Sequence, residues 1–139
     1  MGFVNENGGF SNIYRRRVAL TAMELLASAF NVPIARLTMS GRQRASVAMA
    51  RQISMYLCHI VGRLSLREIA SEFGREASTV SHACHVVEDR RDNSLFDKQV
   101  AILEEEFRDW IRSMIDESVQ PNADDIRFGC PEQKAARVA

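Results

Sequence analysis

Ser78, Ser81, His82 and His85 carry short hydrogen-bonding side chains within the stretch SLREIASEFGREASTVSHACHVVED, residues 65–89. On a helical wheel Ser78, His82 and His85 fall on one side with Ser81 beside them, while Val80, Ala83, Cys84 and Val87 fall on the other. Small donors and acceptors on one face and an apolar opposite face suit a helix that is braced from behind and offers side chains to base edges in a DNA major groove. The same pattern also describes a plain helical hairpin in an all-α core. A second chemistry is metal binding, through Cys58-His59 and His82-x-Cys84-His85. Their spacing matches none of the usual zinc patterns, and Cys84 lies on the apolar face opposite His82 and His85. No metal and no cofactor is therefore expected. No Ser-His-Asp set or carboxylate pair is arranged for catalysis, and the chain is not expected to be an enzyme.

Arginine supplies the other reactive groups. The segment TMSGRQRAS, residues 38–46, has Gly41, Arg42 and Arg44 and no apolar periodicity. It reads as a surface loop, and its two arginines suit a phosphate backbone or a minor groove. Arg51 and Gln52 stand near the start of the next helix, where a helix N-terminus with an adjacent arginine makes a phosphate site. Arg15, Arg16 and Arg17 open an earlier helix and read as a solvated face.

The elements that must position these groups are helical. Val18, Ala19, Ala22, Leu25, Leu26 and Phe30 form one stripe over 14–30, and Asn31-Val32-Pro33 ends that helix. One further turn is expected over 33–37. A long helix over 46–61 is apolar on more than one side and is expected at the centre of the core. Ser65 and Glu68 form a capping box for a short helix that ends at Gly74. A second helix starts near Ser78. Ser94 and Asp97 predict the start of a last helix, whose Phe96, Val100, Leu103, Phe107, Trp110 or Ile111, and Met114 recur at about 3.5 residues. That stripe is expected to pack on the domain; left unpacked, the 95–115 helix would be the seam of a homodimer.

The 139 residues suffice for one domain that buries roughly two-thirds of its unfolded surface. Formal charge is zero, but residues 1–91 hold twelve arginines against seven acids, net +5, and residues 92–139 hold six bases against eleven acids, net −5. A basic working end and an acidic appendage follow from that asymmetry. Three cysteines without disulfide-like spacing fit reduced thiols in the cytoplasm. No apolar run is long enough to cross a bilayer, so no membrane partner is expected. Residues 1–11 read as a flexible arm, 12–118 as the domain, and 119–139 as a disordered tail.

Residues 51–84, RQISMYLCHIVGRLSLREIASEFGREASTVSHAC, resemble the C-terminal DNA-binding domain of the bacterial replication initiator DnaA. That family shows Arg-Gln-x-Ala-Met-x-Leu, then Ser-Leu-Pro-Glu-Ile-Gly, then Phe-Gly-Gly-Arg-Asp-His-Thr-Thr-Val-x-His-Ala. The counterparts here run from Arg51 to Leu57, from Ser65 to Ala70, and from Phe73 to Ala83. The resemblance implies an all-α helix-turn-helix domain of five to six helices, of the Trp-repressor and DnaA C-terminal type, that binds double-stranded DNA. It implies phosphate contacts from Arg51, Gln52 and Thr79, a minor-groove role for Arg42 and Arg44, and base reading around Arg75, Glu76 and Ser78, with His82 one turn on. The function implied is regulation of transcription or of replication initiation at the nucleoid, in interplay with the initiator. The family His before Thr-Thr is Ala77 here, its Pro after Ser-Leu is Arg67, and one Gly of its turn is missing. Ala77 offers a methyl group to thymine and Arg67 a fork to guanine or phosphate, so a different preferred sequence is expected. There is no G-x-x-x-x-G-K-[ST] in the chain, and ATPase activity is not expected. The alternative is a helical adaptor that has lost specific DNA binding and works through its acidic end.

Overall fold

The computed structural model describes residues 11–119. Five α-helices follow in order: α1 Asn12–Phe30, α2 Ala45–Ile60, α3 Leu66–Phe73, α4 Ala77–Arg90 and α5 Ser94–Val119, with a 3-10 turn Ile34–Leu37 after α1. The described residues hold no strand. The arm and tail expected at the two ends lie, apart from Ser11 and Val119, outside the described residues.

α1 starts where Ser11 accepts a hydrogen bond from the Tyr14 amide at 3.2 Å. It stops at Asn31, whose φ of 55° is left-handed and whose amide turns back to Ala27 and Ser28. Tyr14, Val18, Ala22 and Leu26 recur every four residues along its buried face. α2 is the centre of the core, because Ile53 through Cys58 are all buried. α1, α3, α4 and α5 all pack against it. Its one buried polar residue, Ser54, is satisfied by donating to the Ala50 carbonyl at 2.8 Å.

The α2–α3 connection depends on Gly62. A Cβ there would stand 2.7 Å from the Cys58 carbonyl oxygen and 2.7 Å from Val18 Cγ1. The missing side chain lets the end of α2 lie against α1. The Tyr14 hydroxyl fixes the same spot by donating to the Gly62 carbonyl at 3.1 Å.

α5 is capped by Asn93, whose Oδ1 accepts from the Phe96 amide at 2.9 Å, rather than by Ser94 as its sequence suggested. Asn93 sits three residues before the amide it serves, the spacing an Asx cap requires. Val100, Phe107, Ile111 and Met114 are buried and Trp110 is half-buried, so the α5 stripe faces the domain. Arg91 pins the helix from the side. Its Nε donates to Asp97 Oδ1 at 2.5 Å, and its Nη1 to Glu104 Oε2 at 2.7 Å and to the Tyr56 hydroxyl at 3.1 Å. Burial alone would lower the Arg91 pKa, but the hydrogen bonds that its guanidinium donates to Glu104, Asp97 and Tyr56 outweigh it and raise it.

Candidate nucleic-acid interface

α3 and α4 form a helix-turn-helix. Ser65 and Glu68 make the expected reciprocal cap, with the Glu68 amide donating to Ser65 Oγ at 3.1 Å and the Ser65 amide to Glu68 Oε1 at 2.9 Å. Gly74, at φ 66°, ends α3 in a left-handed conformation that glycine adopts without strain. Val80, Ala83, Cys84 and Val87 of α4 are buried against the core. Ala77, Ser78, Thr79 and His82 are exposed, and Glu76, exposed too, is the N-cap residue. α4 begins at Ala77, one residue before the expected Ser78. His85 is exposed but turns along its own helix, its Nδ1 2.9 Å from the Ser81 carbonyl.

Two arginines join this motif to the loop before α2. Arg75 Nη2 donates to the Met39 carbonyl at 2.5 Å, and its Nη1 reaches the Phe73 and Gly74 carbonyls at 3.3 Å. Arg51 Nε donates to the Leu37 carbonyl at 2.9 Å and Nη2 to the Arg36 carbonyl at 3.4 Å. Burial lowers the Arg51 pKa, and the positive Arg75 guanidinium lowers it further. The 38–44 loop, the head of α2 and the turn before α4 are thereby held together. Arg42 and Arg44 are exposed on that loop, and Gln52 is half-buried one residue beyond Arg51. Arg67 is exposed near the start of α3, away from this cluster along the helix. The sequence had marked Arg51 and Arg75 as ligand contacts, whereas here they also bond backbone carbonyls within the domain.

α2 and α4 differ from their neighbours at the N-terminus. Arg44 and Glu76 provide no side-chain cap, whereas Ser11, Ser65 and Asn93 cap α1, α3 and α5. First-turn amides without a side-chain partner suit an anionic ligand.

Pairing sorts the arginines. Arg15 and Arg16 lie against Glu68 and Glu72 of α3 at 3.4–3.9 Å, which ties α1 to α3 and accounts for the arginine run read as a solvated face. Arg17 stands 5.9 Å over the Trp110 ring. Arg91, Arg108 and Arg112 meet carboxylates on α5. Among the described residues, Arg36, Arg42, Arg44, Arg51, Arg63, Arg67 and Arg75 have no carboxylate partner, nor has Arg90, which stands 5.0 Å over the Phe96 ring. Sequence reasoning missed Arg36 and Arg63, because an arginine is recognised as unpaired only once its neighbours in space are known. Among the described residues no group of His, Cys, Asp and Glu is placed to hold a metal ion. No helix there is long and apolar enough to cross a membrane.

Residues 21–87 match the family described as the bacterial dnaA protein helix-turn-helix. The chromosomal replication initiator DnaA of Corynebacterium aurimucosum is 41% identical over 70 residues, which cover 50% of this chain and 13% of that protein. The DnaA of Mycobacteroides abscessus is 43% identical over 65 residues, 47% of this chain and again 13% of the relative. A crystal structure of a DNA replication initiation factor superposes with a TM-score of 0.65 at 32% identity, covering 71% of this chain and 30% of that one. The AMPPCP-bound DnaA of Aquifex aeolicus gives 0.62 at 31% identity, covering 70% and 29%. The chain thus spans a small part of the relatives it matches, and that part is the helix-turn-helix whose geometry is described above. Over residues 21–87, fold, capping, turn and sequence agree in a likeness to the helix-turn-helix of the bacterial dnaA protein.

Proposed function

We propose that this domain binds double-stranded DNA with the first turns of α4 in the major groove and the 38–44 loop over the adjacent minor groove. Glu76, Ala77, Ser78 and His82 then face base edges, with Arg75 beside them and Arg67 farther off at the head of α3. Arg42 and Arg44 enter the minor groove, and Arg51, Gln52, Thr79 and the open amides of α2 and α4 hold phosphates. The observation that carries this reading is the coincidence, on one end of the domain, of two uncapped helix N-termini with arginines that no carboxylate neutralises. Anionic backbone is the ligand that such a surface lacks.

The reading extends to a sequence-selective regulator of transcription or of replication initiation. It acts at the nucleoid, in interplay with the initiator and without ATP hydrolysis by this stretch. Ala77 in place of a histidine favours a preferred site different from the initiator's. The inward packing of the α5 stripe favours binding as a monomer, since the apolar residues that would form a dimer seam are already used. The test is a titration of duplexes selected from random DNA, in competition with an initiator-type site, over a range of salt. Selective binding with a steep salt dependence is expected. Salt-independent or absent binding would transfer the domain to the adaptor reading.

A further inference from the structure

Arg63 occupies an unusual backbone position. Its φ is 65°, and Asn31 is the only other non-glycine residue with a positive φ among those described. Glycine adopts this conformation freely, whereas a residue with a Cβ is strained in it. Asn31 caps a helix, a role asparagine shares with glycine. Arginine has no such excuse. Its side chain is exposed and unpaired with any carboxylate among the described residues, and Arg67, four residues on, is exposed and unpaired as well.

The two lie on either side of Ser65, where α3 begins. The other basic cluster, Arg51, Arg75 and the 38–44 loop, adjoins the C-terminal end of α3, because Arg75 follows Gly74 directly. α3 has eight residues, which at 1.5 Å each separate its ends by about 12 Å. That is about the width of the B-DNA major groove. In helix-turn-helix docking the first helix crosses the backbone while the second lies in the groove. The amides at the head of α3 are not the binding groups, since the Ser65–Glu68 capping box already engages that end.

We propose that Arg63 and Arg67 form a second phosphate clamp, which grips the DNA strand across the major groove from the strand held by the 38–44 loop cluster. This rests on the α4-in-groove reading above. It accounts for a strained arginine in a turn where glycine would fit better: the side chain is kept for its charge at the cost of the backbone.

Arg63→Gly separates the two contributions. It relieves the backbone and removes the guanidinium, so the thermal midpoint should rise or hold while DNA affinity falls. Fluorescence anisotropy of the whole chain with a labelled duplex between 50 and 200 mM NaCl reads the contact. One lost phosphate contact lowers the salt slope by about one unit, so the affinity lost across that range shrinks roughly threefold. Arg63→Gly with Arg67→Ala should lower the slope by about two units. Arg112→Ala, the same charge change on α5, should leave it unchanged. Unchanged slope and affinity in Arg63→Gly, with the unmutated chain binding DNA in a salt-dependent way, would overturn the clamp and leave the α4 reading standing. A change of preferred sequence at constant slope would also overturn it, since phosphates carry no base information. Absence of salt-dependent binding by the unmutated chain would overturn both.

Discussion

Arg51 and Arg75 show how one side chain can serve fold and interface together. Each guanidinium has five N–H donors and spends some of them on backbone carbonyls of the preceding loop. Arg51→Ala should therefore act twice. Loss of its charged hydrogen bonds to Leu37 and Arg36, discounted because the group is only half-buried, should lower stability by about 1 kcal/mol in a denaturant titration. In DNA titrations it should weaken all sequences about equally and reduce the salt slope by about one unit. A shift in the preferred sequence would show that Arg51 touches bases. Ala77 gives the complementary test at the same scale. It is exposed in the first turn of α4 and offers only a methyl group. Ala77→His should move preference toward an initiator-type site by about 1–3 kcal/mol, the worth of one base contact, measured by competition between the two duplexes at fixed salt.

The elements are set by their ends as much as by their stripes. α3 is only eight residues long, a length that is marginal in isolation. The capping box, Gly74 and the burial of Ile69, Ala70 and Phe73 make it persist. The connection before it relies on close approach at Gly62. Gly62→Ala would bring a methyl carbon to 2.7 Å from both the Cys58 carbonyl and Val18. Overpacking of this kind costs about 1–3 kcal/mol, so the variant should unfold at lower temperature and lower denaturant than the unmutated chain. An unchanged midpoint would mean that α1 and α2 can part there without cost. The test bears on function as well, because the same turn orients α3 and so the angle at which α4 is presented.

At the scale of the whole molecule, the core runs from α1 through α2 to α4 and α5, and it includes two thiols. Burial pushes Cys84 up to about 11, with Glu88 adding to the effect. Burial, then Cys84 and Glu72, pushes Cys58 higher still. The folded state thus keeps these protons above the pH, about 8.5, at which an unfolded thiol releases its own. The unfolded chain then binds fewer protons than the folded one, and stability falls as pH rises. Their contribution should be complete below about pH 8.5 and decline progressively toward pH 11. Thermal midpoints from pH 7 to 10.5 should show this decline, and Cys84→Ala should make it shallower. An identical slope in the variant would place the alkaline sensitivity elsewhere, with Cys58 as the next group and the buried Tyr14 after it, since burial raises both pKa values.

The amino-acid sequence by itself determined the five helices, the capping box, the turn at Gly74 and the two faces of α4. These are local matters: hydrophobic spacing, cap residues and glycine act within a few positions of themselves. The resemblance to the dnaA helix-turn-helix was legible for the same reason, in three short motifs. The partners of charged groups were not legible. Arg15 and Arg16, read as a solvated face, meet Glu68 and Glu72 across the α1–α3 contact, whereas Arg42 and Arg44 meet no carboxylate among the described residues. Arg51 and Arg75 reach carbonyls fourteen and thirty-six residues away in the chain. The strain at Arg63 depends on a backbone angle that no residue count announces. Whether the α5 stripe faces this domain or a second copy was open as well, because an amphipathic helix specifies that its apolar side be covered and leaves open by what. Tertiary packing decided it by bringing α1 and α2 against that side.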